Sequence, residues 1–447
     1  MRPLVTWPPL YPALLAPSAW LGVSALEWAR WLGAALFSAL CAMASALAGR
    51  AAGPRAALVA GALFPLTGVM PELFSMVYSE APFLVLQTAW LWTMWWAITR
   101  SGWRPLLFAG LVAAAITLTR YTGACCIAAG AFMLLFAGGL SRRSAGRSAL
   151  FALVAIVPVA CWLARNKLTG GSTVERPLEL ANVGPGWFVD VWRQCTLWLL
   201  PGDVSRWLRH GLLLALLAGG GAATWHWRRM WTRGPARPCT LLAALLGATV
   251  VSYFLLLAAA TFLSPREPTL DLRMLAPAQL PAILLLAIGA AAAWRTLPRS
   301  RLPVAGLVTV LALAGVQRAI AFALDARRDG LALNTAAWQG SSMLTHAANL
   351  PKGCMLASNQ PEIVYWHLHR PCLFLPASGA DAPAYHAPDP TRLATFRAQA
   401  RNGVCYVLLF RSSWPWYAED AVLVRTLGMK PVAEFDDGTL WVIPHTP

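Results

Sequence analysis

PLLFAGLVAAAITLTRYTGACCIAAGAFMLLFAGGL, residues 105–140, carries a single charge, Arg120. An α-helix rises about 1.5 Å per residue, so one helix of that length would overshoot a hydrocarbon core of about 30 Å. The stretch lies between two basic connections, Arg100 with Arg104 on one side and Arg142, Arg143 and Arg147 on the other. Positive loops are retained on the cytoplasmic side, so the chain crosses an even number of times between them. The segment therefore reads as a hairpin of two spanning helices with Arg120 at its outer apex.

Working outward from this hairpin, apolar runs recur over Ala25–Ala48, Ala56–Pro71, Ala81–Ile98, Ala149–Trp162, His210–Trp225, Thr240–Leu263, Met274–Trp294 and Leu302–Phe322. With Pro105–Thr119 and Thr122–Leu140 they make about ten spans; Ala56–Pro71 and Pro105–Thr119 are short for a bilayer but uninterrupted by charge. The composition agrees. Hydrophobic residues are 58% of the 447, charged residues 12%, and mean hydropathy is +0.55; soluble domains are about 25% charged. A net charge of +17 raises the question of nucleic acid, but the arginines sit in short clusters between apolar runs, not along one polar face. No nucleic-acid partner is expected; the bilayer is.

The basic connections also include Arg50 with Arg55, Arg228 with Arg229 and Arg233, and Arg295 with Arg299 and Arg301. Alternation then puts Glu72–Glu80, Arg165–Arg206, Ser264–Arg273 and everything after about Leu324 outside the cytoplasm. The expected organisation is an external or interfacial segment over 1–24, a helical membrane domain over 25–324, and an extracytoplasmic domain over 325–447. The parity also starts the N-terminus outside. Residues 1–24 contain five prolines and read neither as a span nor as a secretion signal, so an upstream helix is expected.

The last quarter is polar, with alternating short elements. Cys354–Ser358, Cys405–Phe410, Val432–Phe435 and Leu440–Ile443 read as strands, the last two joined through Asp436-Asp437-Gly438. Trp338–Leu350, Arg392–Ala400 and Ala418–Gly428 read as helices. The fold class is a polytopic α-helical membrane protein with a small C-terminal α/β domain. Of nine cysteines, Cys41, Cys125, Cys126 and Cys161 read as small buried apolar residues, and Cys354, Cys372 and Cys405 leave room for one disulfide in an oxidising compartment.

Several motifs gather at the outer face. In TWPPLYPALLA (6–16), Trp7 and Tyr11 are rigidly set aromatics of the kind that anchor at membrane interfaces. In PELFSMVYSEAPF (71–83), Glu72 and Glu80 sit at the outer surface, Glu80 at the mouth of the next helix, as a base, a metal ligand or a charge on the helix dipole. LTRYTG (118–123) brings Arg120 and Tyr121, with Arg120 open either to an anionic ligand or to a pair with Glu72 or Glu80. ARNKLTGG (164–171) adds Arg165, Asn166 and Lys167, and LDLRMLAP (270–277) adds Asp271 and Arg273. Each arginine alone suits a snorkelling anchor; three at three outer helix ends point to one basic, aromatic and acidic pocket. His367 and His369, two apart, would share a strand face, which is a weak metal signal.

This ordered set resembles the GT-C class of integral-membrane glycosyltransferases, near the bacterial protein O-mannosyltransferase and aminoarabinose-transferase branch. Further matching pieces are YSEAPFLVL, NLPKGCMLASN, PEIVYWHLHRP and FDDGTLWVIP. The resemblance implies transfer of a hexose or pentose, with inversion, from a polyprenyl-phosphate donor to a lipid, glycan or protein acceptor at the outer face of the inner (plasma) membrane. It makes Glu80 the candidate catalytic carboxylate, for acceptor or metal interaction, and Arg120, Tyr121, Arg165, Asn166 and Arg273 the donor-phosphate candidates. Trp7, Tyr11 and Glu72 then face the acceptor and the interface. Some relatives use a divalent metal, but no ligand cluster stands out in the sequence. The class also places an acidic residue in the first external loop to deprotonate the acceptor; no Asp or Glu precedes Glu27, so that role maps to no residue here. A truncated or inactive member of the fold, and a flippase for lipid-linked sugars, are the alternatives. Against the flippase, the hydropathy shows no internal repeat.

Overall fold

The computed structural model describes residues 8–66, 69–100, 102–170, 184, 186–198, 200–230, 237–263, 270–296, 298–376, 390–401, 404–411 and 420–444. Trp7 lies outside the described residues. The chain divides into two units after Phe322.

The first unit is helical. Two short helices, α1 (Leu10–Leu15) and α2 (Pro17–Leu21), precede α3 (Ala25–Ala52), whose start is set by Ser24 accepting the Glu27 amide. Gly53, at φ 87°, and Pro54 end α3 and begin α4 (Pro54–Leu63), a Gly-then-Pro break of the kind that turns a chain sharply. Next come α5 (Met70–Ser75), α6 (Glu80–Thr99), α7 (Trp103–Thr119), α8 (Ala124–Ala137), α9 (Arg142–Gly170) and α10 (Gly186–Thr196). The unit finishes with α11 (Arg206–Met230), α12 (Arg237–Phe262), α13 (Leu272–Thr296) and α14 (Arg301–Asp329). Each of the ten apolar runs becomes helical over most of its length. By length and composition α3, α9, α12, α13 and α14 are long and apolar enough to cross a membrane.

In lipid, helices gain little from burying apolar surface against each other, so close packing and polar contacts fix the bundle. Helix α6 is its centre: Trp90, Leu91, Met94 and Ala97 are buried along it. Its indoles reach out to neighbouring backbones, Trp92 Nε1 to the Met43 carbonyl at 3.1 Å and Trp95 Nε1 to the Pro238 carbonyl at 2.8 Å. The buried Gln87 donates to the Pro277 carbonyl on α13 at 2.8 Å. That carbonyl is available because its intrahelical partner would be the amide of residue 281, which is proline. Not every apolar residue is packed inside: Cys161 lies exposed on α9, against the expectation of burial, since most of that helix faces outward.

The hairpin closes at a 3-10 turn, Tyr121–Gly123, between α7 and α8. Here the glycine is demanded by space. A Cβ on Gly123 would stand 2.7 Å from both Ile116 Cγ2 and the Thr117 amide nitrogen.

The second unit contains α15 (Ala336–Gln339), α16 (Ser342–Ala348), α17 (Pro361–Leu368), α18 (Pro390–Arg401) and α19 (Asp420–Leu427). Its sheet has five strands, β1 (Met355–Ser358), β2 (Cys372–Phe374), β3 (Val404–Phe410), β4 (Lys430–Phe435) and β5 (Gly438–Val442), in the order β2-β1-β3-β5-β4. The pairs β1–β2 and β1–β3 are parallel; β3–β5 and β4–β5 are antiparallel. Apolar clusters form around Val407 with Leu423 and around Leu408 with Phe410, neighbouring residues that a strand points to opposite faces. Asn359 ties the strand ends together, donating to the Phe410 carbonyl at 2.8 Å and accepting its amide at 3.0 Å.

Three expectations for this unit change. The helix expected over 338–350 breaks at Gly340, because Ser341 caps a new helix by accepting the Leu344 amide. His367 and His369 do not share a strand face: His367 lies in the last turn of α17, with Nε2 2.8 Å from the Leu333 carbonyl, and His369 ends that helix at φ 51°. The helix wins here because PEIVYWHL begins with Pro361, preset for a first turn, and places Pro361 and Val364 on one buried face. Finally, Cys354 and Cys372 are free thiols; the Cys405 side chain lies outside the described ones.

Gly123→Ala should destabilise the hairpin apex by about 1–3 kcal/mol, as overpacking does. Its unfolding midpoint in detergent should fall by several degrees, while Gly146→Ala, whose new Cβ meets nothing within 4 Å, should not lower it.

Candidate active site

Glu80 opens α6 and is only 2% exposed. A carboxylate taken so far out of water needs a compensating charge, and two arginines from different helices supply it. Arg120, the residue that ends α7, brings Nη1 to 2.5 Å from Glu80 Oε1. Arg273, in the first turn of α13, brings Nε to 3.4 Å from the same oxygen. Arg120 Nη1 also donates to Ser79 Oγ at 3.3 Å. Glu80 is therefore committed to two guanidiniums.

Arg273 is held on three sides. Its guanidinium carbon sits 4.7 Å from the centre of the Tyr78 ring, a cation–π distance. Its Nε lies 3.5 Å from Asp271 Oδ2, while Asp271 Oδ1 accepts the Met274 amide at 2.8 Å and so caps α13. Even so, the Arg273 side chain remains 38% exposed. With Glu80 shared between them and Asp271 beside Arg273, the charges of the two guanidiniums are balanced, but their remaining N–H groups suit an oxyanion.

The acidic and aromatic neighbours belong to the same place. Burial, then the charge of Asp271, raises the proton affinity of half-buried Glu72 above that of an ordinary glutamate, with Arg273 opposing. Among the described residues Glu72 has no ion-pair partner within 4 Å. Burial and then the Glu80 charge push the Tyr11 hydroxyl up to about 12. Tyr11 on α1 thus stands within the field of the site. Tyr78 is likewise raised, by burial first.

Arg165 does not join Glu80. It stacks over Trp162 at 4.9 Å and donates to Asn166 Oδ1 at 3.1 Å; Trp162 Nε1 in turn reaches the Tyr121 hydroxyl at 3.3 Å. These six candidates therefore fall into two neighbouring groups, Glu80 with Arg120 and Arg273, and Tyr121 with Arg165 and Asn166, joined through the adjacent residues Arg120 and Tyr121. Sequence reading passed over Tyr78, Ser79 and Trp162. The Tyr-Ser-Glu order at the helix mouth was a signal for the first two; Trp162, three residues before Arg165, had only helical spacing to show for it. Among the described residues no three His, Cys, Asp or Glu side chains are grouped to hold a metal ion.

The family model of dolichyl-phosphate-mannose-protein mannosyltransferases matches residues 6–162, which include Glu72, Glu80, Arg120 and Tyr121. The chain is also similar to the crystal structure of ArnT from Cupriavidus metallidurans in the apo state, with a TM-score of 0.60 at 15% identity, covering 99% of this chain and 88% of that one. The fold is that of a GT-C membrane glycosyltransferase. ArnT bound to undecaprenyl phosphate is similar at a TM-score of 0.58 and 15% identity, over 98% of this chain and 88% of that one. No curated protein matches the sequence. Within the GT-C fold, the family match stops short of Arg165, Asn166 and Arg273, so the contact of Arg273 with Glu80 emerges from the structure alone.

The raised proton affinity of Glu72 fixes the sign of a pH effect. A carboxyl that binds its proton more tightly folded than unfolded disfavours the fold once it ionises, and the penalty vanishes as pH falls below the unfolded value of about 4.3. Glu72→Gln should therefore unfold at a higher temperature than the wild type at pH 7, and the two midpoints should converge near pH 4. A lower midpoint for the variant at pH 7 would contradict the assignment.

Proposed function

We propose that the protein transfers a sugar from a polyprenyl-phosphate donor to a hydroxyl acceptor at the outer membrane face. The observation that carries this reading is the sharing of one Glu80 oxygen by Arg120 and Arg273, which sets two guanidiniums side by side while Arg273 stays open. The binding of undecaprenyl phosphate by ArnT, a protein of like fold, supports it.

The acceptor oxygen attacks the anomeric carbon as the bond from that carbon to the phosphate oxygen breaks. The electron pair leaves on the polyprenyl phosphate, whose growing negative charge meets Arg120 and Arg273. Fixed donors aimed at developing charge in a partly dry site contribute several kcal/mol to such a step. The acceptor proton passes to a carboxylate. Glu80 is spoken for by its arginines and acts here as their positioning residue, so the unpaired, half-buried Glu72 suits the role of base better. Tyr121, Trp162 and Arg165 offer a second cationic and aromatic surface beside the phosphate, fit for the sugar or an anionic acceptor. With a hydroxyl that binds its proton this tightly, Tyr11 stays neutral in the field of Glu80.

The alternating arginine loops support a multi-pass protein of about ten spans in the plasma membrane, with the 325–447 domain on the extracytoplasmic side. A periplasm-active phosphatase reporter fused after Pro447 should be active and one fused after Arg143 inactive; the opposite pattern would overturn this orientation.

Arg120→Ala and Arg273→Ala should each weaken undecaprenyl phosphate binding by about 10- to 100-fold, the loss expected for a charge-assisted hydrogen bond of about 1.5–3 kcal/mol. Sugar transfer from a radiolabelled polyprenyl-phosphate donor should fall with it. Unchanged binding in both variants would remove the basis of this reading.

A further inference from the structure

The helix α10 has one polar residue on an otherwise apolar stripe. Trp187, Val191, Gln194 and, just past the helix end, Trp198 follow one another at spacings of four, three and four, the inner face of a helix. Trp187 and Trp198 are buried, and Val191 packs partly buried against the membrane-unit core. On the other side Phe188, Val189, Asp190 and Arg193 are exposed. An amide on such a stripe costs free energy unless it is hydrogen-bonded. Gln194 spends its donor on the Leu270 carbonyl, at 3.0 Å.

The place of that carbonyl gives the bond its meaning. Leu270 directly precedes Asp271, the cap of α13, and Arg273 sits in the turn that Asp271 caps. First turns of helices carry amides with no partner inside the helix and open most easily. Asp271 secures this one from within, and Gln194 secures the chain that leads into it from another helix. Three further contacts anchor α10 and its exit: Trp192 Nε1 donates to His210 Nδ1 on α11 at 2.6 Å, Arg318 Nη1 on α14 donates to the Leu197 carbonyl at 3.0 Å, and Gln279 Nε2 on α13 donates to the Trp198 carbonyl at 3.3 Å. The segment is thus braced against α11, α13 and α14, and through Gln194 it bears on the mouth of the site.

We infer that α10 is a clamp on the start of α13 and that Gln194 is a positioning residue for the phosphate-facing Arg273, acting through the Leu270 carbonyl. Gln194 touches no substrate in this role. It narrows the range of positions that Arg273 samples, so that the guanidinium meets Glu80 and an incoming phosphate in one arrangement. The inference rests on the reading of Arg273 as a phosphate-binding side chain.

The test uses the purified full chain and undecaprenyl phosphate as the probe, with affinity and unfolding midpoint measured in parallel. Gln194→Met keeps the length and removes the donor; Gln194→Lys keeps a donor of similar reach. Gln194→Met should weaken binding by about 3- to 10-fold, the range of one lost hydrogen bond, while its midpoint stays near that of the wild type. Gln194→Lys should restore affinity to within about twofold. If Gln194→Met binds as the wild type does while Arg273→Ala is weakened, the clamp is refuted and the phosphate site stands. If Arg273→Ala also binds normally, the phosphate site falls and the clamp with it. Equal weakening of the Met and Lys variants, together with a lowered midpoint, would make Gln194 a packing residue only and overturn the inference.

Discussion

The buried carboxylate of Glu80 organises one end of the bundle. Left unpaired at 2% exposure it would be costly in any low-dielectric setting, so α6, α7 and α13 are obliged to bring their ends together around it. The same arrangement holds two cations close to each other, which neither would tolerate without the shared oxygen between them. Removing the carboxylate would do more than delete one charge: it would leave Arg120 and Arg273 repelling one another at the place where a ligand anion would have to bind.

How far the sequence disclosed this depends on the range of the interaction involved. Apolar runs are local, since they declare themselves without reference to any partner; each of the ten is helical over most of its length, and five of the described helices are long and apolar enough to cross a membrane. The hairpin apex at Arg120 was equally legible, from one charge and two flanking basic loops. In the second unit four of the five strands were readable as short apolar runs between polar segments; β2, only Cys372–Phe374, was too short to stand out, and at α17 the i, i+2 spacing of two histidines suggested a strand where Pro361 starts a helix.

Partnerships across helices were less legible. The charged residues of the site were visible singly at helix ends, and the pairing of Arg120 with Glu80 was one of the open readings. That Arg273 would join them while Arg165 would turn instead to Trp162 depends on helix rotation and register, which no hydropathy run encodes. The contact between Gln194 and Leu270 joins residues 76 apart in sequence and announces itself only as an amide out of place on an apolar face.

The missing amide of Pro281 shows how such registers are fixed. It leaves the Pro277 carbonyl open, and Gln87 from α6 fills the gap. Gln87 lies two turns below Glu80 on its helix, and Pro277 lies one turn below Arg273 on the other. Sliding either helix by a turn would break the amide contact and pull the charges above it out of line. A defect in one helix's own hydrogen bonding, deep in the apolar bundle, thus serves as an alignment mark, setting the height at which an acid and a base meet near the surface.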